Sequence, residues 1–286
     1  MRRASGVGTA HPNGHFYSPV VDPETLLARR EGLWPPAPAV PGIDFNDASH
    51  ERLLREVLPR HLPHYDYPET HRGDENTATG FFTRNSQFSW LDSRALFALL
   101  LEWRPRRLIE VGSGFSSLLI ADVNRRFLEG AMSVTCIEPY PRPFLAAGIA
   151  GIDAVRVEKV EQVPIEVFAT LEAGDVLFID SSHVSKTGSD VNHLFFDVLP
   201  RLAPGVRVHV HDIFLPHEYP QAWVLEDNRS WNEQYLLRAL LMYSSAFRVV
   251  FGCSWAFHRF PQLVIDALAH PRGHGFAGGS FWFERC

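Results

Sequence analysis

Asp180 and His183 stand three residues apart just after the apolar run Val176–Ile179, and His211 and Asp212 follow the apolar run 206–210. Two carboxylates and two imidazoles at neighbouring strand ends can take a proton from a hydroxyl or share a divalent cation. Upstream, the run Arg107–Val111 opens into Gly112-Ser113-Gly114-Phe115-Ser116-Ser117, with Glu110 two residues before the first glycine. Glycines at such a turn let the backbone approach a ligand, and the helix that follows aims free N–H groups at it. Glu138 closes the next run, Ser133–Ile137, where a carboxylate can accept hydrogen bonds from both hydroxyls of a ribose.

For these residues to meet, strands must end side by side. Short apolar runs at 107–111, 133–137, 154–160, 176–179 and 206–210 predict five strands, with helices over 116–128, 142–147, 165–171 and 189–202 between them. A helix over 93–103, with Asp92 as its N-cap and Pro105 beyond its end, leads into the first strand. The alternation predicts an α/β, doubly wound, mostly parallel sheet, its strands apolar nearly throughout because helices cover both faces. Ligands bind beyond the carboxyl ends of such strands, where 110–114, Glu138, 180–183 and 211–214 lie. The tail departs from the alternation: a helix over 232–244, a strand over 247–253, a helix over 261–269 and, after Gly278-Gly279, a strand over 280–284 predict a terminal antiparallel pair.

Residues 1–88 read differently, since recurrent prolines leave room for only short elements. One helix is expected over 46–58, where Leu53, Leu54, Val57 and Leu58 recur at helical spacing and Pro59 would stop it. The chain thus divides into an irregular N-terminal arm, 1–88, part of it a lid and a contact for a homodimer, and a domain at 89–286.

A length of 286 residues suits one large domain with such an arm, single folds commonly running about 100–200 residues. With 45% hydrophobic and 12% aromatic residues the chain can build a core, which excludes disorder throughout. The 27 basic residues against 33 acidic ones leave a net charge of −6 and no basic footprint for nucleic acid. Cys136, Cys253 and Cys286 are odd in number and far apart, so neither a disulfide framework nor a structural zinc site is expected, and a cytoplasmic location fits. Arg2 and Arg3 are followed by no apolar run, so export is not signalled. No apolar stretch reaches the roughly 18–20 residues that span a bilayer.

Two ligands compete for the glycine turn, a dinucleotide and S-adenosylmethionine. A dinucleotide site prefers a small residue at the third position of GxGxxG, and Ser117 stands there. Glu110 is a poor neighbour for a pyrophosphate and a good partner for the cationic amino-acid end of S-adenosylmethionine. Glu110-Val111-Gly112-Ser113-Gly114 resembles the first motif of class I S-adenosylmethionine-dependent methyltransferases, and Glu138 resembles their ribose-binding acidic residue. The resemblance extends over about 85–286, through Asp175-Val176-Leu177-Phe178-Ile179-Asp180-Ser181-Ser182-His183, Val208-His209-Val210-His211-Asp212-Ile213-Phe214, Trp231-Asn232-Glu233-Gln234-Tyr235 and Gly279-Ser280-Phe281-Trp282-Phe283, to a bacterial small-molecule branch of that family.

The resemblance implies a seven-stranded sheet with an antiparallel last strand and transfer of a methyl group to a hydroxyl of a small metabolite. Cofactor contacts are expected from Glu110, Gly112, Ser113, Gly114, Ser116, Glu138 and Asp180, and catalysis from Asp180, His183, His211 and Asp212. Asp180 and Asp212 resemble the carboxylates that hold a divalent ion in catechol-type O-methyltransferases, and His183 stands where that group has its catalytic lysine. Ile213 replaces a further Asn ligand of that group, which leaves magnesium, a transition metal and metal-free base catalysis by His183 all open. His209 is expected to be a core histidine and Asp190 a charge at a helix start. Asn85, Phe88 and Trp90 resemble an entry segment near the cofactor; the loop 214–220 and Trp231, Asn232 and Gln234 are candidate walls for the acceptor. Two other readings stay open: a metal-dependent hydroxylase-like enzyme on the same fold, and a cofactor-binding domain without turnover.

Overall fold

Seven runs pair into one sheet: Arg107–Val111 (β1), Ser133–Ile137 (β2), Ala154–Arg156 (β3), Val176–Ile179 (β4), Arg207–Val210 (β5), Phe247–Gly252 (β6) and Phe281–Arg285 (β7). The strand order is β3-β2-β1-β4-β5-β7-β6. All pairings are parallel except those of β7, which runs antiparallel between β5 and β6. This is the α/β sheet expected, with the terminal antiparallel pair in place. The structure, a computed structural model, describes residues 10–88, 90–268 and 278–286. The expectations on the first residues and on the end of the helix over 261–269 lie outside the described residues. No described helix is long and apolar enough to cross a membrane.

Side chains alternate between the two faces of the sheet. Leu108, Val176 and Phe178 belong to one buried cluster, and Ile109, Leu177 and Ile179 to the other. Helices Trp90–Trp103 (α1) and Phe115–Phe127 (α2) cover the first face. Leu53, Leu54, Val57 and Leu58 of the arm join that same cluster.

Several boundaries differ from expectation. The third strand is only Ala154–Arg156, because it sits at the sheet edge and pairs with β2 alone over three residues. Helix α1 begins at Trp90, so Asp92 is inside its first turn and buried, not its cap. Its carboxylate accepts the N–H groups of Gly279 (3.2 Å) and Ser280 (2.7 Å) instead, tying α1 to the start of β7.

Pro59 does not stop the arm helix. The backbone runs through Asp47–Arg52, a π turn at Leu53–Val57 and a last turn at Leu58–His61. The N–H of Leu58, just before the proline, reaches back five residues to the Leu53 carbonyl. Leu199-Pro200-Arg201 repeats this device: the π turn Leu194–Val198 precedes it and the Leu199 N–H bonds to the Leu194 carbonyl. Proline lacks an N–H and its ring crowds the carbonyl four residues back. A wide turn just before it keeps the chain helical.

Candidate active site

The glycine turn closes β1. Gly112 has a left-handed backbone (φ 78°), and a Cβ there would overlap the carbonyl oxygen of Asp180. Glycine is therefore what allows the end of β1 to lie against the end of β4. Gly114 heads α2, and its N–H donates to Ser117 Oγ at 3.0 Å. A Cβ at Gly114 would meet only Gln87 Oε1, at 4.0 Å, so this second glycine relieves no clash and leaves space beside the turn. Glu138 is fixed from two sides: Oε2 accepts the Ser113 N–H (3.1 Å) and Oε1 the Tyr140 N–H (2.8 Å). Each oxygen keeps a lone pair for a ligand hydroxyl.

Beyond these strand ends lies a cavity of about 800 Å³, lined on one side by Gly112, Ser113, Gly114, Ser116 and Glu138 and on the other by Asp180, His183, His211 and Asp212. A second cavity, about 430 Å³, opens on the far side of Glu138 beside Val160 and Lys159 and shares Gly112, Glu138 and Asp180 with the first. The arm contributes Ser86, Gln87 and Phe88 to the main cavity, and Arg142 bridges to it by donating to Asn76 Oδ1 (2.8 Å) and Gln87 Oε1 (2.9 Å).

Glu110 is a correction. It was expected to meet the cofactor's amino-acid end, but it is fully buried and does not line the cavity. Its carboxylate accepts from Ser116 Oγ (2.6 Å), from Ser117 Oγ and from Cys136 Sγ (3.3 Å). Burial raises its pKa against the opposing hydroxyl hydrogen bonds. Glu110 lies beneath the turn and holds the first residues of α2; Ser116 and Ser117 are the residues that face it.

Across the cavity, β4 ends at Asp180 and β5 at His211 and Asp212. His183 and Asp212 both take left-handed backbones (φ 60° and 56°), a conformation that side chains other than glycine adopt at a cost of order 1–3 kcal/mol. Each is held by neighbours. The His183 carbonyl accepts the N–H groups of Asn232 (3.0 Å) and Glu233 (3.2 Å), which start the helix Glu233–Leu241 (α3). The backbone of Asp212 packs so closely on Gly279 that a Cβ on the glycine would come within 2.8 Å of the Asp212 Cα.

The His183 ring is buried and covered by Trp231, with ring centroids 4.3 Å apart. Its Nδ1 lies 2.9 Å from Glu233 Oε2, and its Nε2 lies 3.4 Å from Asp180 Oδ1 and 3.6 Å from Asp212 Oδ2. Burial alone would lower its pKa, but Asp180, Glu233 and Asp212 outweigh that and hold it well above the usual histidine range. Burial raises the pKa of Asp212 and of Glu233. For Asp180, burial is outweighed by His211 and His183, and its pKa falls. His211 Nε2 is 3.6 Å from Asp212 Oδ1. His209, two residues earlier, is fully buried, stacked on Phe178 (3.8 Å) with Nε2 3.0 Å from Ser280 Oγ, a core histidine as expected.

Of the expected site residues, the cavity thus collects Gly112, Ser113, Gly114, Ser116, Glu138, Asp180, His183, His211 and Asp212, and leaves out Glu110. Phe88 lines it, whereas Asn85 turns inward to bind the Phe82 and Phe88 carbonyls. Trp231 lines the cavity beside His183; Asn232 instead ties to Ser185, and Gln234 accepts the Phe214 N–H. Asp190 starts the short helix Asp190–His193, as expected, and accepts from the Ser182 N–H and Oγ. Sequence reasoning gave no site role to Glu233, Asp92, Arg142, Trp223 or Arg229. For Glu233 a signal existed, an acidic residue inside a stretch already singled out, but its place at a helix start explains it equally well.

Residues 109–213 match a family described as a methyltransferase domain. An uncharacterized protein of Archaeoglobus fulgidus is 35% identical over 170 residues, covering 58% of this chain and 76% of the relative. Among solved structures, the O-methyltransferase TomG of Streptomyces achromogenes, involved in tomaymycin synthesis and in complex with SAM, is 16% identical over 69% of this chain and 81% of its own, with a TM-score of 0.38. The O-methyltransferase of Bacillus cereus in complex with SAH is 15% identical over 84% and 90%, with a TM-score of 0.35. The matched segment runs from β1 through the glycine turn to the acidic ends of β4 and β5, and with a relative covered over three quarters of its length the chain belongs to that methyltransferase-domain family.

Proposed function

We propose that the protein transfers a methyl group from S-adenosylmethionine to a hydroxyl of a small metabolite. The observation that carries this reading is the single cavity in which the glycine turn and Glu138 face Asp180, His183 and Asp212. The residues fit the cofactor: Gly114 leaves space where a side chain would intrude, and Glu138 is oriented with lone pairs free for a ribose. Glu138 lines both cavities, so it would hold the cofactor's ribose where they adjoin. When bound, the cofactor supplies a methyl group whose C–S bond breaks, sulfur keeping the electron pair, as the acceptor oxygen forms the C–O bond.

The chain's own share is placement first and proton removal second. Trp223 and Trp231, with the Arg229 guanidinium over both rings, wall the acceptor side, while Asp180, His183 and Asp212 hold the hydroxyl and receive its proton as a group. Asp180 and Asp212 are the pair that would hold a divalent ion if one assists.

Isothermal titration of S-adenosylmethionine and of NAD into the purified protein tests the cofactor. Micromolar binding of the former alone is expected, and Glu138→Ala should weaken it about tenfold or more, the worth of one or two hydrogen bonds to a charged group. Release of S-adenosylhomocysteine with a panel of phenols and sugars then tests turnover. Oxygen-dependent product with bound iron would replace methyl transfer by hydroxylation, and binding without turnover on every acceptor would leave a cofactor-binding domain.

A further inference from the structure

We propose that His183 is a metal ligand together with Asp180 and Asp212, that Glu233 is the positioning residue that aims it, and that the site takes a divalent transition-metal ion. The proposal deepens the reading of the cavity as the acceptor site; the ion's use rests on that reading, its binding does not.

One ligand atom from each of Asp180, His183 and Asp212 lies within 4.8 Å of the other two. The imidazole Nε2 is 3.4 Å from Asp180 Oδ1 and 3.6 Å from Asp212 Oδ2. Ligands about 2.0–2.2 Å from one ion stand about 3.0–3.6 Å apart at tetrahedral or cis-octahedral angles, so these spacings suit a shared ion with little movement.

Glu233 decides which ring nitrogen is presented. Its Oε2 is 2.9 Å from Nδ1, and its other oxygen has no hydrogen-bond partner among the described residues, so the carboxylate is committed to this ring. A carboxylate on Nδ1 keeps the proton there and leaves Nε2, on the side of the two aspartates, as the nitrogen an ion would take in exchange for its proton, the arrangement by which second partners orient metal-bound histidines. The backbone reinforces it, since the N–H of Glu233 also binds the His183 carbonyl. One nitrogen ligand among oxygens favours manganese, iron, cobalt or zinc over magnesium, which prefers oxygen alone. Asp180, with 27% of its side chain exposed, leaves a way in from the cavity. An ion there would lower the pKa of a bound acceptor hydroxyl.

The test is calorimetric titration of Co²⁺, Mn²⁺, Zn²⁺ and Mg²⁺ into the EDTA-treated full chain, with the visible spectrum of the Co²⁺ form, for wild type, Asp180→Asn, His183→Gln and Glu233→Gln. Far-ultraviolet circular dichroism and thermal unfolding check that each variant is folded, and S-adenosylmethionine binding is measured on wild type, His183→Gln and Glu233→Gln. One Co²⁺ per chain is expected, bound at least about tenfold more tightly than Mg²⁺. His183→Gln and Glu233→Gln should each weaken Co²⁺ by about 10–100-fold and shift its absorption, with cofactor affinity kept. Co²⁺ binding sensitive to Asp180→Asn but indifferent to both other variants would overturn the proposal in favour of an all-oxygen site. Binding indifferent to Asp180→Asn would place the ion elsewhere, and no binding of any ion would remove the site. Wild-type protein that takes Co²⁺ but not S-adenosylmethionine would overturn the methyl-transfer reading and leave the metal site standing.

Discussion

The wall of the cavity at the glycine turn is mostly backbone, whereas the facing wall is made of charged side chains. At the turn, Gly112, Gly114 and the two N–H groups that grip Glu138 all come from two short stretches of chain, 112–114 and 138–140. Across the cavity, Asp180, His183, Asp212 and Glu233 come from β4, β5 and α3, and two of them sit on left-handed backbones clamped from elsewhere. The turn is a local motif whose shape follows from its own residues. The facing group exists only because distant elements are held together, so its parts can be removed one at a time without loss of the others.

The largest effect should come from the glycine that joins the two sides. Gly112→Ala drives a methyl into the Asp180 carbonyl at a left-handed position, and thermal or urea unfolding should show a loss of about 4 kcal/mol or failure to fold. Gly114→Ala sharpens the contrast, because its methyl meets open space. Its stability should change by no more than about 1 kcal/mol, while affinity for S-adenosylmethionine falls; equal damage to stability from both substitutions would break the distinction between a glycine for packing and a glycine for ligand space.

Next in size is Glu110. Replacing it with Ala strands the hydroxyls of Ser116 and Ser117 and the Cys136 thiol in the core, at a cost of about 2–3 kcal/mol. Glu110→Gln, which keeps the volume, should cost less. Were Glu110 a ligand contact after all, Glu110→Gln would instead weaken cofactor binding with stability unchanged.

A smaller effect belongs to neither wall and serves as a control on pH. His50 fastens the arm to β6: its Nε2 accepts the Gly252 N–H (2.8 Å) and its Nδ1 faces the Asn46 carbonyl (3.2 Å). The ring must be neutral to do this, and burial lowers its pKa to about 4 in spite of nearby Asp47. The unfolded chain takes up the proton first, so stability is full above the ordinary value of 6.5 and falls as pH drops toward about 4. Between about pH 7 and about pH 5 the loss should be about 2 kcal/mol. Urea titrations at the two pH values should show that difference shrinking in His50→Gln; an unchanged difference would assign the pH dependence to other groups.

Much of the site could be read from the chain because strand ends announce themselves. Asp180, His183, His211 and Asp212 each follow a short apolar run, and parallel β4 and β5 bring such ends together. Three things resisted. Glu110 reads as a binding residue beside a glycine turn, yet the parity of β1 points it into the core. Asp92 has the type and position of a helix cap, but the helix starts two residues earlier and the carboxylate serves Gly279 and Ser280. Pro59 has the chemistry of a helix stop, and a π turn absorbs it.

The residue pattern by itself determined the doubly wound sheet, the glycine turn, Glu138 and the four polar residues at the ends of β4 and β5, because hydrophobic periodicity and turn chemistry act over a few neighbouring residues. Only the tertiary structure decided that Glu110 supports the turn from below and that Glu233, 50 residues from His183, governs its ring. Which side of a buried boundary a carboxylate falls on, and which imidazole nitrogen it meets, depends on the packing of elements that no local pattern links.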